Sequence, residues 1–288
     1  MTQKGMVIKM NGTLYLCATP IGNLADISQR FVETMELADL VAAEDTRVSI
    51  KLLNHLNIKK TLVSYHEHNK AERGAFLISQ LKEGKNVALV SDAGTPAISD
   101  PGEDLVRLCI ENGINVTSIP GCVAAVNALI LSGLPAKRFA FEGFLSVNKR
   151  HRKEHLESLR NDPHTMIFYE APHKLTYTLE DMKAVFGEER RIALARELTK
   201  LHEEIFRGTL SEATEKFKTE KPRGEYAIVV EGKNEDDNAD EEKWWEKLTV
   251  CEHVDFYIEK GMNCKEAIKS AALDRNVQKR EIYNEYHK

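Results

Sequence analysis

VALVSDAGTPAISDPG, residues 87–102, opens as an apolar run and closes as a string of Asp, Gly, Ser and Pro. Val87, Ala88, Leu89 and Val90 are apolar at consecutive positions, the pattern of a strand buried on both faces inside a parallel sheet. Gly94, Gly102, Pro96, Pro101, Asp92 and Asp100 then crowd into one bend, and Leu105, Val106, Leu108 and Cys109 follow at helical spacing. Strand, bent loop, helix is how an open α/β sheet presents backbone groups to a ligand at its carboxyl edge.

Outward from this stretch the same alternation repeats. Strand-like runs at 14–17, 40–42, 62–63 and 116–119 interleave with helical patterns at Ile27/Phe31/Met35, Ile50/Leu53, Phe76/Leu77/Leu81 and 124–131. Asp26 is expected to cap the first helix, and Gly84 and Gly113 stand where helix C-caps belong. The expected fold class is α/β, with a mostly parallel sheet over residues 1–135. Residues 136–233 predict a second α/β lobe with strands at 139–145, 166–169, 192–195, 204–207 and 226–230. The short links between some of these strands predict antiparallel pairing and a mixed sheet. The acidic run at 234–242 reads as a linker. A small helical unit is expected over 243–288: Trp244, Leu248 and Cys251 start one helix, Ala267, Ile268, Ala271 and Ala272 mark a second, and Ile282, Tyr283 and Tyr286 a third. The link between the second and third, D-R-N-V-Q at 274–278, resembles a helix-turn-helix.

The 288 residues, 42% hydrophobic and 30% charged, suffice for a large core, and a net charge of −5 excludes a protein that coats nucleic acid by overall charge. A local basic patch remains open, and Lys149-Arg150-His151-Arg152-Lys153 supplies one. Five scattered cysteines without a C-x-x-C pair read as reduced thiols in a cytosolic protein, with neither a disulfide framework nor structural zinc. The opening MTQKGMVIKMNG has no apolar signal region, and runs such as 123–131 are far short of a membrane span. The expectation is a soluble cytoplasmic protein with no membrane partner.

Four loops at predicted strand ends hold more special residues than packing requires: 18–26 (ATPIGNLAD), 43–47 (AEDTR), 92–102, and 119–124 (IPGCVA). None reads G-x-x-x-x-G-K-[ST] or G-x-G-x-x-G, so neither a phosphate-cradling nucleotide hydrolase nor a nicotinamide enzyme has its fingerprint. For each loop singly, ordinary turn chemistry is the plainer reading; four on one sheet edge argue for a ligand.

These loops resemble a known family. Ser91-Asp92-Ala93-Gly94-Thr95-Pro96 is similar to the strand-end donor loop of the tetrapyrrole-methylase fold, and Pro120-Gly121-Cys122-Val123 to its second cradle. In order along the chain, ATPIGNLAD, AEDTR, SYHEHN, SDAGTPAISDPG, FEGFL, YEAPHKL and ARELTKLHEE resemble the branch that methylates the ribose 2′-hydroxyl of a cytidine in small-subunit ribosomal RNA. The likeness spans residues 12–232 and, more weakly, the helical tail. It implies a two-lobed fold that holds S-adenosyl-L-methionine, a small-subunit RNA or 30S partner, and a homodimer. Donor contacts are implied at Asp92, Ala93, Gly94, Thr95, Pro96, Ile98, Pro120, Gly121, Cys122, Val123 and Tyr169. Glycines at 94 and 121 would let the main chain approach where a Cβ would block it.

A ribose hydroxyl is a weak nucleophile, so a base or orienting group is expected, with Glu44, Asp45 and Glu170 as candidates. Arg47 could clamp a phosphate. From spacing alone, Asp45 or Thr46 capping a helix and Arg47 pairing with a neighbouring acid is the plainer reading; the resemblance favours a functional role for Glu44 and Arg47. RNA contacts are expected from Pro20, Gly22, Asn23, Arg47, His66, His68, Lys149, Arg150, Arg152 and Lys153. His66 and His68 could share a face, yet no third ligand is identifiable and this transfer needs no metal, so none is expected. Two alternatives stay open. Porphyrinoid methylases carry G-x-G-P-G-D where this chain has A-T-P-I-G-N, which weighs against a corrin or siroheme precursor as substrate. A metabolite-sensing regulator would act through the helix-turn-helix tail.

Overall fold

The computed structural model describes residues 11–233, 245–275 and 277–287, so the acidic run at 234–242 and Trp244 lie outside the described residues. The chain divides into two compact units, one ending at Gly232 and one beginning at Lys233.

In the first unit the quoted stretch is a strand followed by a loop and a helix, as its pattern predicts. Strands β1 (Thr13–Cys17), β2 (Leu40–Ala43), β3 (Thr61–Ser64), β4 (Val87–Val90) and β5 (Asn115–Ile119) form one sheet in the order β3-β2-β4-β1-β5. Every pair in it is parallel. Helices α1 (Gln29–Leu37), α2 (Thr46–His55), α3 (Lys70–Lys82) and α4 (Glu103–Glu111) make the connections. Strand side chains alternate between faces, and β4 shows the result: Val87 and Leu89 enter one core with Leu77 and Leu105, whereas Ala88 and Val90 enter another with Phe31 and Met35. Burial of a residue such as Leu89 stabilises this arrangement by roughly 1.5–3 kcal/mol. That two-sided burial is why β4 contains no polar residue.

The carboxyl ends of β1, β2, β4 and β5 release the four loops singled out above, all on one edge of the sheet. Gly84 and Gly113, at φ +87° and +63°, follow the ends of α3 and α4 as expected. Asp26 is not a cap. The chain stays extended at Ile27, Asp26 lies in a short turn held by Asn23, and the Ser28 hydroxyl accepts the Phe31 N–H (3.1 Å) to start α1.

The second sheet holds β6 (Phe139–Phe144), β7 (Thr165–Glu170), β8 (Arg191–Arg196), β9 (Glu204–Thr209) and β10 (Tyr226–Val230) in the order β6-β7-β10-β8-β9. β6 and β7 are parallel and the other pairs antiparallel, the mixture the short links predict. α7 (Pro172–Phe186) and α8 (Leu210–Thr219) cover one face, burying Phe168, Leu194 and Ile228. The other face carries Ala193, Ala195 and Ala227, small enough for α5 (Ala124–Ser132) to pack Ala125, Ala128 and Leu129 against it. α5 therefore leaves the first sheet and roofs the second, coupling the two. The basic run is helical: Asn148 accepts the Arg150 and His151 N–H groups and opens α6 (Lys149–Leu159).

The described residues of the second unit form helices α9 (Val250–Glu259), α10 (Cys264–Asp274) and α11 (Lys279–Tyr286), closed over Val254, Ile268, Ala271 and Ile282. Its first helix starts at Val250, later than the sequence reading has it, because Thr249 and Glu252 form a capping box there. Buried His253 lies between Asp274 (3.0 Å) and the Arg275 Nε (3.0 Å) and stacks on Trp245. No described helix is long and apolar enough to cross a membrane.

Candidate functional site

A cleft of about 530 Å3 opens where the carboxyl edge of the first sheet meets the α5-covered face of the second. This is the size of a small-molecule site. The first sheet supplies its floor from the quoted loop. Gly94 sits at φ +87° and pairs with Thr19 through both main-chain hydrogen bonds, N to O at 3.1 and 2.9 Å. A Cβ at Gly94 would lie 3.3 Å from the Ile21 side chain and 3.4 Å from the Cys122 carbonyl oxygen, so three loops converge on this glycine. The Thr95 hydroxyl donates to the same Cys122 oxygen (3.0 Å). A Cβ at Gly121 would meet Ala18 Cβ at 2.8 Å, so close contact between the first and fourth loops needs glycine there.

The second sheet supplies side chains. A register shift in β6, between Phe141 and Gly143 (φ +65°), forms a bulge that swings Phe144 into the cleft. Phe141 and Phe144 flank Tyr169 edge-on, at 5.1 and 5.6 Å between ring centres. The Tyr169 hydroxyl accepts the Ala125 N–H (2.9 Å) at the start of α5, and burial pushes the phenol above its ordinary pKa. Glu197, Leu198 and Lys200 come from the loop after β8, and Gly224 and Glu225 from the loop before β10. Glu197 and Thr199 hold left-handed backbone at φ +51° and +67°, as does Ala97 (+68°) in the quoted loop. Such strain persists only where surroundings impose it, and ligand clamps are a common place.

Electrostatically the cleft is acidic. Among the described residues, Glu44, Asp92, Asp100, Glu170, Glu197 and Glu225 line it against one lysine, Lys200, which is bonded to Glu197 (3.0 Å). Burial first, then the nearby Asp100 and Asp92 carboxylates, raise the Glu44 pKa. Burial, with Asp92 and Glu225 adding repulsion, raises that of Asp100. An acidic, glycine-floored pocket of this volume suits a cationic ligand with a flat ring and a flexible chain; S-adenosylmethionine is one, and these residues fit it.

Of the expected donor contacts, Asp92, Ala93, Gly94, Thr95, Ile98, Val123 and Tyr169 line the cleft. Pro96, Pro120, Gly121 and Cys122 lie outside its lining, Gly121 and Cys122 bracing the wall from behind. Glu44 and Glu170 also line it, but both Glu170 oxygens are taken, by the Ala171 N–H (2.9 Å) and the Thr178 hydroxyl (2.7 Å). Asp45 caps α2 through the Arg47 N–H (2.8 Å) and binds the Arg47 guanidinium at 2.7 Å, which lowers its pKa to about 2. Its own N–H donates to Asp92 (3.0 Å), so the capping reading describes this pair.

Among the expected RNA contacts, Pro20 and Gly22 line a smaller groove of about 250 Å3 that shares Asp92 with the cleft. Asn23 accepts the Ala25 N–H (3.0 Å), and His66 and His68 follow β3 with ring centres 6.0 Å apart. Arg152 is bound to Asp181 (2.7 Å) and Arg150 to Glu154 (2.8 Å), while Lys149 and Lys153 are exposed. Phe144, Glu197, Lys200 and Glu225 face the cleft without having been singled out. The motifs FEGFL and ARELTKLHEE flag the first three only as parts of a pattern, and Glu225 carries no sequence signal.

Residues 13–214 match the model of the tetrapyrrole (corrin/porphyrin) methylases. The protein named ribosomal RNA small subunit methyltransferase I in Halalkalibacterium halodurans is 53% identical over 96% of this chain and 95% of its own. Its namesake in Bacillus subtilis is 51% identical over 96% and 94%. Among solved structures, diphthine synthase is similar with a TM-score of 0.59 at 16% identity over 77% of this chain and 90% of its own. Uroporphyrin-III-C-methyltransferase from Thermus thermophilus gives 0.55 at 22% over 76% and 94%. These two share the fold. The chain belongs to the tetrapyrrole methylase family and, within it, to the ribosomal RNA small subunit methyltransferase I group, S-adenosylmethionine-dependent methyltransferases.

Proposed function

We propose that the protein methylates the ribose 2′-hydroxyl of a cytidine in small-subunit ribosomal RNA, in the cytoplasm. The observation that carries this reading is the 51–53% identity, over nearly the whole chain, to proteins named for small-subunit ribosomal RNA methylation. When bound, S-adenosylmethionine supplies an activated methyl group on a sulfonium. Main chain at Ala93 and Gly94, with Thr95, Ile98, Val123 and Ala227, would hold it, and Phe144 and Tyr169 offer aromatic surface for its adenine. The Glu44, Asp92, Asp100 and Glu225 carboxylates favour its positive charge. Alignment of hydroxyl oxygen, methyl carbon and sulfur can supply several kcal/mol of the barrier, up to about 7–11 in ideal cases.

Glu44 is the base we assign. It lines the cleft and its pKa lies above the ordinary carboxylate value, whereas Asp45 is held by Arg47 and both Glu170 oxygens are engaged. Those two orient the loops that flank it. The groove with Pro20 and Gly22 receives the acceptor nucleotide, with Asn23, Arg47, His66 and His68 on the same sheet edge, and Lys149, Arg150 and Lys153 meet phosphate farther out; Arg152 instead fixes α6 to α7. A homodimer is supported by α5, whose Val126 and Ile130 are exposed on the side turned away from the second sheet.

The test is incubation with labelled donor and separated ribosomal components. Label is expected in small-subunit RNA, at a cytidine whose 3′ linkage resists alkali. The Glu44→Gln enzyme should transfer about 10²–10⁴ times more slowly. Label in a base, or in a porphyrinoid extract alone, would reject the reading. Sedimentation of the same preparation at twice the chain mass is the expected sign of the dimer.

A further inference from the structure

We propose that a second cavity, on the α8-covered face of the second sheet, binds a backbone phosphate of the RNA strand whose ribose enters the cleft. The proposal rests on the RNA reading above and adds a site to it. The cavity measures about 280 Å3, enough for a phosphate and part of its nucleotide. Its floor is apolar: Leu194 with Phe217 and Tyr226, two rings 5.8 Å apart and edge to face.

Among the described residues four cations line it, Arg196, Lys216, Lys221 and Arg223, against two carboxylates, Glu204 and Glu220. Arg196 bonds Glu204 at 2.8 Å, and Lys216 lies 2.7 Å from Glu220 and 3.5 Å from Glu204. Those four charges cancel. Lys221 and Arg223 are exposed at the rim and form no ion pair among the described residues, so the cavity's described lining carries an excess of about two positive charges. An unpaired guanidinium beside an ammonium over an aromatic floor is a recognition pattern for phosphate next to a ring.

Topology places this charge beside the chemistry. Residues alternate across the end of β8, so Leu194 and Arg196 border the cavity while Ala195 and Glu197 border the cleft, and Tyr226 lines both. Lys221 and Arg223 lie on the loop whose next residues, Gly224 and Glu225, are cleft wall. A polyanionic strand approaching a cleft lined by six carboxylates needs a cationic hold close by. Arg47 and Arg152 are already bound to Asp45 and Asp181, whereas the cavity rim is free to give that hold.

The test compares the full chain with its Lys221→Gln/Arg223→Gln double variant in binding a single-stranded oligoribonucleotide across a salt series. Loss of two phosphate contacts should lower the slope of log affinity against log salt by about 1.4. Donor affinity by calorimetry, which also reports an intact fold, should stay within about twofold. An unchanged slope in the variant, with the parent still methylating small-subunit RNA, overturns this assignment alone. A parent that neither binds nor methylates that RNA overturns the functional reading with it. Inorganic phosphate giving heat with the parent and none with the variant, while the RNA slopes coincide, would make the pocket a free-anion site and overturn the RNA assignment.

Discussion

The two sheets meet the cleft in opposite ways. The first builds its floor from closely approached main chain, with the Glu44, Asp92 and Asp100 carboxylates beside it: Ala93 and Gly94 lie where a loop bends, and Gly94 is closed on by Thr19, Ile21 and Cys122. The second lines it with side chains, Phe144, Tyr169 and Glu197, set by a bulge, a helix contact and strained backbone. Parallel strands release their loops at one edge in a regular array, so the first half forms a cradle of converging loops. The mixed sheet has no such array and must aim individual groups. A cradle of main chain is defeated by adding atoms; a wall of side chains is defeated by removing them.

The largest effect should therefore come from adding a side chain to the cradle. Gly94→Val places a β-branched residue at φ +87° with its Cβ against Ile21 and Cys122. Left-handed backbone costs roughly 1–2 kcal/mol for an ordinary residue and more for a branched one. If the donor needs this backbone position, its affinity should fall about 100-fold or more, a loss near 3 kcal/mol. Calorimetry with S-adenosylmethionine measures it. Unchanged affinity would mean that the donor does not lie on this loop, and the contrast between the sheets would lose its basis.

Removing one oxygen from the wall should cost less. Tyr169→Phe leaves the Ala125 N–H at the head of α5 without its 2.9 Å acceptor. An unsatisfied buried donor costs about 1–3 kcal/mol. Because α5 is the element shared by the sheets, that cost divides between stability and donor binding. We expect Tm to drop by about 2–4 °C per kcal/mol and donor affinity to weaken by about threefold to tenfold. A variant with lowered Tm and intact affinity would show that Tyr169 only docks α5.

The same contrast explains what could be read from residues alone. β4 is legible because two-sided burial forbids polar residues there, the loops at 18–26, 92–102 and 119–124 because main-chain approach demands Gly and Pro, and the loop at 43–47 by its acid-acid-Thr-Arg run at a strand end. Helix starts were harder. Asp26 and Ser28 are both good caps two residues apart, and only the extended backbone at Ile27 decides for Ser28. The basic run at 149–153 has no apolar period, and its helix becomes apparent from the Asn148 cap. In the site, Asp92 and Gly94 lie within one motif, whereas Glu225 reaches the cleft only through the β7-β10-β8 pairing, a contact between distant segments that no local pattern encodes.

The smallest effect concerns protons, where both sheets contribute to one field. Glu44, Asp92 and Asp100 come from the first and Glu225 from the second; burial with mutual repulsion raises the pKa of Glu44 and Asp100. For a carboxyl raised in the folded state, the stability it adds is complete below its ordinary pKa and lost as pH rises through the folded value. The free protein should thus become slightly less stable across that acidic window. A bound sulfonium opposes this shift, since it favours the carboxylate and lowers both pKa values toward the ordinary range. Donor binding should then release protons in the same window, and affinity should rise several-fold with pH before levelling off. Calorimetry in two buffers of different ionisation heat counts the protons. Glu44→Gln should remove part of the release, and S-adenosylhomocysteine, whose sulfur is uncharged, should release fewer than the donor. Equal release for both compounds would place the sulfur away from these carboxylates, and with it the methyl group away from Glu44.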